Sequence, residues 1–170
     1  MITPSFHDRF VKLFDANYQR LYRSLDRLSG DPELAADLAQ ETFIRLYRRG
    51  AAPDNPEAWL ITVALNLFRN SRSSRSRRER LLTKARVEAA HSDPPVSAEH
   101  ASEEAELRRQ VRTAIDRLPE RDRSLLLLRA EGYSYRDIAE ALDLNEASIG
   151  TLLARAKRAF RDIYEASDAP

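Results

Sequence analysis

The residues best suited to binding chemistry in this sequence are arginines, and they are concentrated in one stretch. Residues 69–86 (RNSRSSRSRRERLLTKAR) hold eight basic residues, seven of them Arg, and a single acidic residue, Glu79. A guanidinium group presents forked N–H donors that match phosphate and guanine. Nothing in the stretch balances its charge, which favours contact with nucleic acid. The alternative is a solvated helix end or a disordered tail.

A second set of candidate binding residues lies near the C-terminus. Ser148, Thr151 and Arg155 are spaced i, i+3 and i+7, so on a helix they share one face. Small hydroxyls and a guanidinium are side chains that reach base edges in the major groove. Lys157 and Arg158 are better placed for phosphates. The alternative is a helical hairpin with a solvated basic face.

Composition excludes several other kinds of site. The 170 residues include no cysteine, so the chain has no disulfide, no thiolate metal site and no Cys nucleophile. The three histidines are far apart in sequence, and we find no phosphate-binding loop or paired catalytic carboxylates. We therefore predict that the chain is not an enzyme and uses no metal or cofactor. A signal peptide and any apolar run near 18 residues are absent, so we expect a cytoplasmic protein without membrane insertion.

The distribution of charge divides the chain into segments. The basic stretch is followed directly by residues 87–106, which contain six acidic residues and no basic one. This acidic segment also has two adjacent prolines and no aromatic residue, a composition typical of a linker. We predict an N-terminal domain over 1–86, an acidic linker over 87–106 and a C-terminal domain over 107–170. Neighbouring blocks of opposite charge either bind different partners or pair with each other.

Helical periodicity dominates both halves, and no alternation typical of a strand is present, so we predict an all-α fold. In the N-terminal half, an apolar stripe beginning at Phe6 indicates the first helix. Asp31-Pro32 and Asn55-Pro56 are start signals for the next two, because a capping side chain precedes a proline in each. Gly50 ends the second helix. The third helix carries a predicted core stripe of Trp59, Leu60, Val63, Ala64 and Leu67.

The C-terminal half begins with two further predicted helices. Pro119 ends the first of them, and Gly132 closes the second, which contains the apolar run SLLLLRA. The apolar positions of the first are Leu107, Val111, Ile115 and Leu118.

The last two predicted helices have the features of a DNA-binding motif. Ser134 and Asp137 have the spacing of a capping box before a short helix over 135–142, and Asn145 caps a last helix that starts at Glu146. Two helices joined by so short a turn indicate a helix-turn-helix, whose second helix enters the major groove.

The second predicted helix has a polar face formed by Asp37, Gln40, Glu41 and Arg45. The pattern alone favours a solvated surface there. Trp59 is the only tryptophan, and its spacing favours a core position over a base-stacking platform.

Three segments, taken in order, resemble the group IV or extracytoplasmic function (ECF) sigma factors of bacterial RNA polymerase, in the sigma-70 family. They are DLAQETFIRLYRR, NPEAWLITVALNLFRN and LPERDRSLLLLRAEGYSYRDIAEALDLNEASIGTLLARAKRAFR. The resemblance covers nearly the whole chain. It implies two small helical domains, region 2 and region 4, joined by a flexible linker. The implied function is to bind core polymerase, recognise the −35 and −10 promoter elements and assist melting of the −10 element.

The resemblance also assigns roles to residues in the N-terminal half. It implies that one face of the second helix binds the β′ clamp helices of the polymerase, replacing the interpretation as a solvated surface. Those residues are Asp37, Gln40, Glu41, Phe43 and Arg45. Residues of the third helix and the loop before it would read the −10 strand, holding a flipped base in a pocket. They are Asn55, Asn66, Arg69, Asn70, Arg72 and Arg75.

For the C-terminal half, the resemblance implies a −35 reader whose helices also meet the β flap. The implied DNA contacts are Tyr135, Arg136, Asn145, Ser148, Thr151, Arg155, Lys157 and Arg158. The acidic linker would run toward the active-site and RNA-exit channels, and an anti-sigma factor is an implied partner.

The sequence departs from the family pattern at four positions. Leu65 stands where a basic residue is usual, and Asn70 where an acidic one is. Gly150 and Leu152 replace two basic residues of the last helix, and a glycine there weakens the helix by about 0.5–1 kcal/mol relative to alanine. We therefore expect −35 recognition to be weaker or differently aimed, with Arg155 as the principal base-reading residue.

Two other classes of protein remain open from the sequence. A stand-alone helix-turn-helix regulator would bind duplex DNA tightly without polymerase, although no heptad-spaced dimerisation helix is visible. An interaction protein built of two helical bundles would tolerate the joint loss of Arg69, Arg72 and Arg155.

Overall fold

The computed structural model describes residues 5–86 and 103–167. These residues form seven helices and no strand, which confirms the predicted all-α fold. The helices are α1 (Phe6–Ser29), α2 (Pro32–Arg49), α3 (Pro56–Arg86), α4 (Glu103–Asp116), α5 (Glu120–Ala130), α6 (Tyr135–Leu142) and α7 (Glu146–Ser167). Most of the predicted linker, residues 87–102, lies outside the described residues.

The ends of α1 and α2 are set by local hydrogen bonds. Ser5 and Asp8 form a reciprocal capping box at the start of α1. The Asp31 side chain accepts from two backbone amides in the first turn of α2, as predicted. Gly30 and Gly50 end these helices in the left-handed region, with φ of 67° and 72°.

The buried face of α3 differs from the predicted stripe. Leu60 and Ala64 are buried as predicted, whereas Trp59, Val63 and Leu67 are only half-buried, and the buried face is centred about 150° around the helix from these three. The buried side chains of this helix are Ala58, Leu60, Ile61, Ala64, Leu65 and Phe68. The reason is that α3 packs against α6 as well as against α1 and α2, so a flank that no local pattern marks is covered.

The C-terminal bundle consists of α4 to α7, and its first helix starts earlier than predicted. Residues 103–106, assigned to the linker from their charge, form the first turn of α4. Three glutamates in that turn interact favourably with the positive end of the helix dipole. Their acidic composition therefore marks a helix start, and these four residues are helical although the sequence suggested a linker.

The helix-turn-helix is formed by α6 and α7 within the predicted bounds. The Ser134 hydroxyl accepts from the Asp137 amide at 3.1 Å. Asp143 adopts the left-handed conformation with φ of 54°, which turns the chain out of α6. The Asn145 side chain then accepts from the Ala147 amide at 3.0 Å and caps α7.

The two bundles pack against each other, an arrangement that the sequence did not predict. Helix α6 lies on α3, and α5 lies on α1. One cluster of buried apolar side chains runs through both bundles, from Leu21 in α1 to Leu153 in α7. Near the end of α1, the Arg112 guanidinium donates to the Arg27 carbonyl and lies so close to Gly30 that a Cβ there would be 2.6 Å from Arg112 Nη2.

Candidate nucleic-acid interface

The basic stretch forms the second half of α3. Eighteen residues of continuous helix extend over about 27 Å, enough for several successive phosphates along a strand. The side chains of Arg69, Arg72 and Arg75 are exposed on it. Arg75 pairs with Glu79 at 3.5 Å within the helix. An exposed ion pair of this kind contributes little, so the Arg75 guanidinium group remains accessible to a stronger anion.

The three asparagines of the predicted −10 set have different surroundings. Asn55 is half-buried: its Oδ1 accepts from the Ala58 amide at 3.3 Å, and its Nδ2 faces carboxylates of α6. Asn66 is exposed and accepts from Arg69 Nη1 at 3.4 Å. Asn70 is exposed on the following turn. Two of the three therefore face solvent, and Asn55 sits at the contact between the bundles.

The N-terminal half of α7 presents the predicted base-reading side chains to solvent. Ser148, Thr151 and Arg155 are exposed, while Ile149 and Leu153 on the opposite side are buried against the core. This is the geometry that a recognition helix needs, since one face packs on the fold and the other is free to enter a groove.

The remaining basic residues of the predicted −35 set divide by position. Arg136 and Arg158 are exposed, and Arg158 lies on the same side of α7 as Arg155. Lys157 is exposed but lies about 160° around the helix from Arg155. It therefore does not share the recognition face. Asn145 is engaged in capping α7.

The contacts of Gly150 and Leu152 account for the two positions in α7 that depart from the family pattern. Leu152 is half-buried and packs against the core, so this position contributes to folding and adds no charge to the face. A Cβ added at Gly150 would meet Tyr135 Cε2 at 3.6 Å, an ordinary contact distance. Tyr135 is exposed, with the Arg129 guanidinium 5.3 Å from its ring centroid. The absence of a side chain at 150 leaves this ring open at the start of the recognition helix.

The polar face of α2 is present as predicted. Asp37, Gln40 and Arg45 are exposed, Glu41 is half-buried, and Arg45 Nε donates to Glu41 Oε1 at 2.9 Å. One apolar residue, Ile44, lies in the middle of this face and is 43% exposed. The sequence does not mark it, because an isolated isoleucine among core-forming residues looks like another core position.

Phe43 does not belong to that surface. It is only 2% exposed, and its ring packs edge-on against Phe14 with the centroids 4.9 Å apart. Its position on α2 points between α1 and α2, so the expected contact with the polymerase stays a prediction. Phe43 forms the floor of an apolar groove of about 490 Å³, whose lining residues are Phe10, Val11, Phe14, Gln40, Phe43, Ile44, Tyr47 and Arg48.

No three acidic or histidine side chains in the described part of the chain come together in a way that could hold a metal ion. Within residues 5–86 and 103–167, none of the helices has both the length and the apolar character needed to span a bilayer.

Comparison with known proteins matches both bundles to one family. Residues 13–78 match the family model for sigma-70 region 2, and residues 108–160 match that for sigma-70 region 4. The ECF RNA polymerase sigma factor EcfG of Rhodopseudomonas palustris is 33% identical over 139 residues, covering 78% of this chain and 70% of EcfG.

The chain belongs to the ECF sigma factors of RNA polymerase. This ECF sigma factor is also similar to SigE of Mycolicibacterium smegmatis, with 34% identity over 149 residues, and spans 56% of that relative's length. Its fold resembles that of the sigma factor RpoE of Bartonella quintana, solved in complex with the anti-sigma factor NepR. That match has a TM-score of 0.60 at 21% identity and covers 94% of this chain and 96% of RpoE.

Proposed function

We propose that this ECF sigma factor binds core RNA polymerase and directs it to promoters by reading −35 and −10 elements, assisting −10 melting. The observation that carries the proposal is the pairing of two helical modules in one chain, one with an arginine-bearing helix and one with a helix-turn-helix, which match regions 2 and 4 of one family. The chemistry of RNA synthesis belongs to the polymerase, and the sigma factor supplies position and specificity.

The −10 face of the proposal consists of Asn55, Asn66, Arg69, Asn70, Arg72 and Arg75. Exposed guanidinium groups along α3 follow the backbone of the non-template strand. Extruding a base costs a few kcal/mol of lost stacking, so a pocket near the start of α3 must compensate. We assign Asn55 to that pocket because it caps α3 where the preceding loop ends.

The −35 face consists of Ser148, Thr151, Arg155 and Arg158 on α7, with Tyr135 and Arg136 on α6. Arg155 is the residue best able to make a bidentate contact with guanine. Lys157 is assigned to a phosphate outside this face, because it lies on a different side of α7. The same bundle would meet the β flap.

We assign the face of α2 to the β′ clamp helices of the polymerase. Asp37, Gln40, Glu41 and Arg45 provide its polar contacts, and Ile44 provides an apolar centre. A polar surface with an exposed apolar residue at its middle has the anatomy of a protein interface, with a dry centre and a solvated rim. Phe43 forms the floor of the apolar groove that lies beside this face.

Two further assignments follow from family membership. The acidic linker, residues 87–102, would lie toward the active-site and RNA-exit channels of the polymerase. An anti-sigma factor would hold this chain inactive in the cytoplasm; RpoE of Bartonella quintana has been solved in complex with such a partner, NepR.

The test is reconstitution with core polymerase and a library of upstream regions, with the transcripts sequenced. We expect a small set of start sites that requires the chain. Substituting Asp37→Ala and Glu41→Ala should weaken co-elution with core polymerase, whereas Glu165→Ala, at an exposed position on α7 and outside this face, should not.

The same assay addresses the alternative of a stand-alone regulator. Initiation that is unchanged by the chain, together with tight sequence-specific binding to duplex DNA in the absence of polymerase, would refute the proposal. An interaction protein without a DNA role would show neither activity.

A further inference from the structure

The recognition face of α7 holds few groups that can read a base by hydrogen bonding. Gly150 and Leu152 stand where the family pattern has basic residues, and Leu152 packs against the core. Arg155 is the one guanidinium among the predicted base-reading side chains, beside two small hydroxyls. Discrimination at further positions of the −35 element therefore requires another chemical feature of the major groove.

A pocket at the start of α7 is suited to such a feature. It has a volume of about 760 Å³ and lies between the first residue of α6 and the first turns of α7. Its lining residues are Tyr135, Asn145, Glu146, Ala147, Gly150 and Thr151. None of these six described residues is basic. Because Thr151 is exposed on the recognition face, the pocket opens at the edge of that face.

The Tyr135 ring forms the aromatic wall of this pocket and is 41% exposed. A Cβ at Gly150 would be 3.6 Å from Tyr135 Cε2 and 4.0 Å from the hydroxyl oxygen, so any side chain at 150 would fill the space beside the ring. On the ring itself, the Arg129 guanidinium lies 5.3 Å from the centroid, and its Nη1 donates to the Tyr133 carbonyl at 3.1 Å. These two contacts hold the ring in place, so the wall is formed before DNA binds.

The chemistry of the pocket matches one group on the base edges of the major groove. That group is the C5-methyl of thymine, which packs against apolar and aromatic side chains. The Glu146 carboxylate, also in the pocket, presents only acceptors. It therefore disfavours the edge of guanine, which likewise presents only acceptors.

We propose that Tyr135 and Gly150 form a specificity-determining site that reads the C5-methyl of a thymine in the −35 element. The methyl group packs between the Tyr135 ring and the backbone at Gly150, while Arg155 reads a separate base pair by hydrogen bonding. Apolar contact at position 150 thereby replaces the charge of the family pattern. The inference rests on the proposed function, because it requires α7 to enter the major groove at the −35 element.

Deoxyuridine isolates the methyl group, because it lacks only the C5-methyl of thymidine and keeps the same hydrogen-bonding groups. A promoter obtained from the reconstitution with core polymerase is prepared as two libraries with a randomised −35 element, one containing dT and the other dU. Sequencing the duplexes bound by the holoenzyme measures the preference for each base. We expect a preference for T at one −35 position, reduced about fourfold in the dU library, as for one methyl-sized group removed from an apolar contact.

Two substitutions remove the site in different ways. Gly150→Ala fills the space beside the ring and Tyr135→Ala removes the wall, so each should lower the preference in the dT library to its dU value. Alanine is favoured over glycine in a helix, so a loss of preference in Gly150→Ala cannot come from a weakened fold. Tyr135→Phe keeps the ring and should keep the preference. The matched control is Glu165→Ala, at an exposed position near the end of α7, which should behave as the parent chain.

5-Methylcytosine tests the same contact as a gain. Replacing cytosine with 5-methylcytosine at the position where T is preferred adds only the methyl group. Holoenzyme with the parent chain should bind the methylated duplex about fourfold more tightly than the unmethylated one. Holoenzyme with Gly150→Ala should bind the two duplexes equally.

The methyl site and the proposed function fail in different ways. Equal base preferences in the dT and dU libraries would overturn the methyl site, and so would a methyl-dependent preference that persists in Gly150→Ala or Tyr135→Ala. Uniform weakening of all sequences by Tyr135→Ala would show that the tyrosine contacts only the DNA backbone, which also overturns it. In each of these cases a sequence preference at the −35 element leaves the proposed function standing. A holoenzyme with no preference at any −35 position would refute −35 reading, and the methyl site with it.

Discussion

The two surfaces that we propose bind DNA differ in how they are engaged within the free chain. The recognition residues of α7 face solvent, while Asn55 and Arg69 in the other surface are bound to carboxylates of the C-terminal bundle. Both surfaces are basic and helical, and in the sequence both are marked by the same feature, basic side chains on a predicted helix. The difference shows that a binding surface is defined as much by what covers it as by its residue types.

The largest effect is expected from substitutions in the arginine-bearing surface of α3. Changing Arg69, Arg72 and Arg75 together to alanine should abolish most promoter-dependent initiation, because three phosphate contacts are lost. The slope of log K against log salt for holoenzyme binding should flatten by about three. The control is Arg121→Ala, an exposed arginine on α5 outside both surfaces, for which we expect no change.

On the α7 side, Arg155→Ala tests base reading in the holoenzyme. We expect a loss of about 1–3 kcal/mol on the preferred −35 sequence and reduced discrimination at a single base pair. Lys157→Ala should weaken all sequences equally and lower the salt slope by about one. Uniform weakening by Arg155→Ala would show that this residue contacts only the backbone.

A pair of glycines reports on the packing between the bundles. Gly30→Ala and Gly50→Ala should each cost about 1–2 kcal/mol of unfolding free energy, because both residues have positive φ. Gly30→Ala should cost more, since its Cβ would displace the Arg112 guanidinium, whereas nothing lies within 4 Å of a Cβ at Gly50.

Urea unfolding provides the measurement for both glycines. Adding Arg112→Ala should reduce the cost of Gly30→Ala to that of Gly50→Ala, when each is compared with its own parent. If Gly30→Ala and Gly50→Ala cost the same unfolding free energy while Arg112 is present, the close approach between the bundles does not contribute to stability.

A smaller effect in the opposite direction is expected within the recognition helix. Gly150→Ala should stabilise the chain by about 0.5–1 kcal/mol, because alanine is favoured in a helix and its Cβ meets Tyr135 at an ordinary distance. Thermal unfolding would measure it. A destabilised variant would indicate that the Tyr135 ring cannot accommodate the methyl group.

The smallest effect concerns acid stability at the contact between the bundles. Burial raises the pKa of Asp137, but hydrogen bonds from Asn55 and Ser134 outweigh it and leave the pKa below 3.8. The native state therefore binds fewer protons, so this contribution is complete above pH 3.8 and is lost as pH falls through the lowered pKa.

Substituting Asp137→Asn should flatten the fall in unfolding free energy over that acidic window. Asp8 also has a lowered pKa, chiefly from hydrogen bonds with Ser5, but it lies at the exposed start of α1. Asp8→Asn removes a titrating group that lies away from the contact between the bundles, so it should change the acid dependence of the unfolding free energy less than Asp137→Asn does. The same acid dependence in both variants would argue against a role for Asp137 in the contact.

Local signals in the sequence were enough to predict much of the fold. Caps such as Asp31, Ser134 and Asn145 and the terminator Gly50 are decided by hydrogen bonds within a few residues, so sequence alone located the helix ends. The exposed recognition face of α7 follows from periodicity in the same way. The early start of α4 was missed because glutamates suit both a linker and the first turn of a helix.

The sequence by itself determined the helices, their order and the family to which the chain is similar, because each depends on neighbours along the chain. Only the tertiary structure decided that Leu65 is buried, that Phe43 lies beneath its surface and that Glu131 is enclosed by arginines more than a hundred residues away. Burial and ion pairing of this kind depend on which surfaces meet in space, and no local periodicity records that.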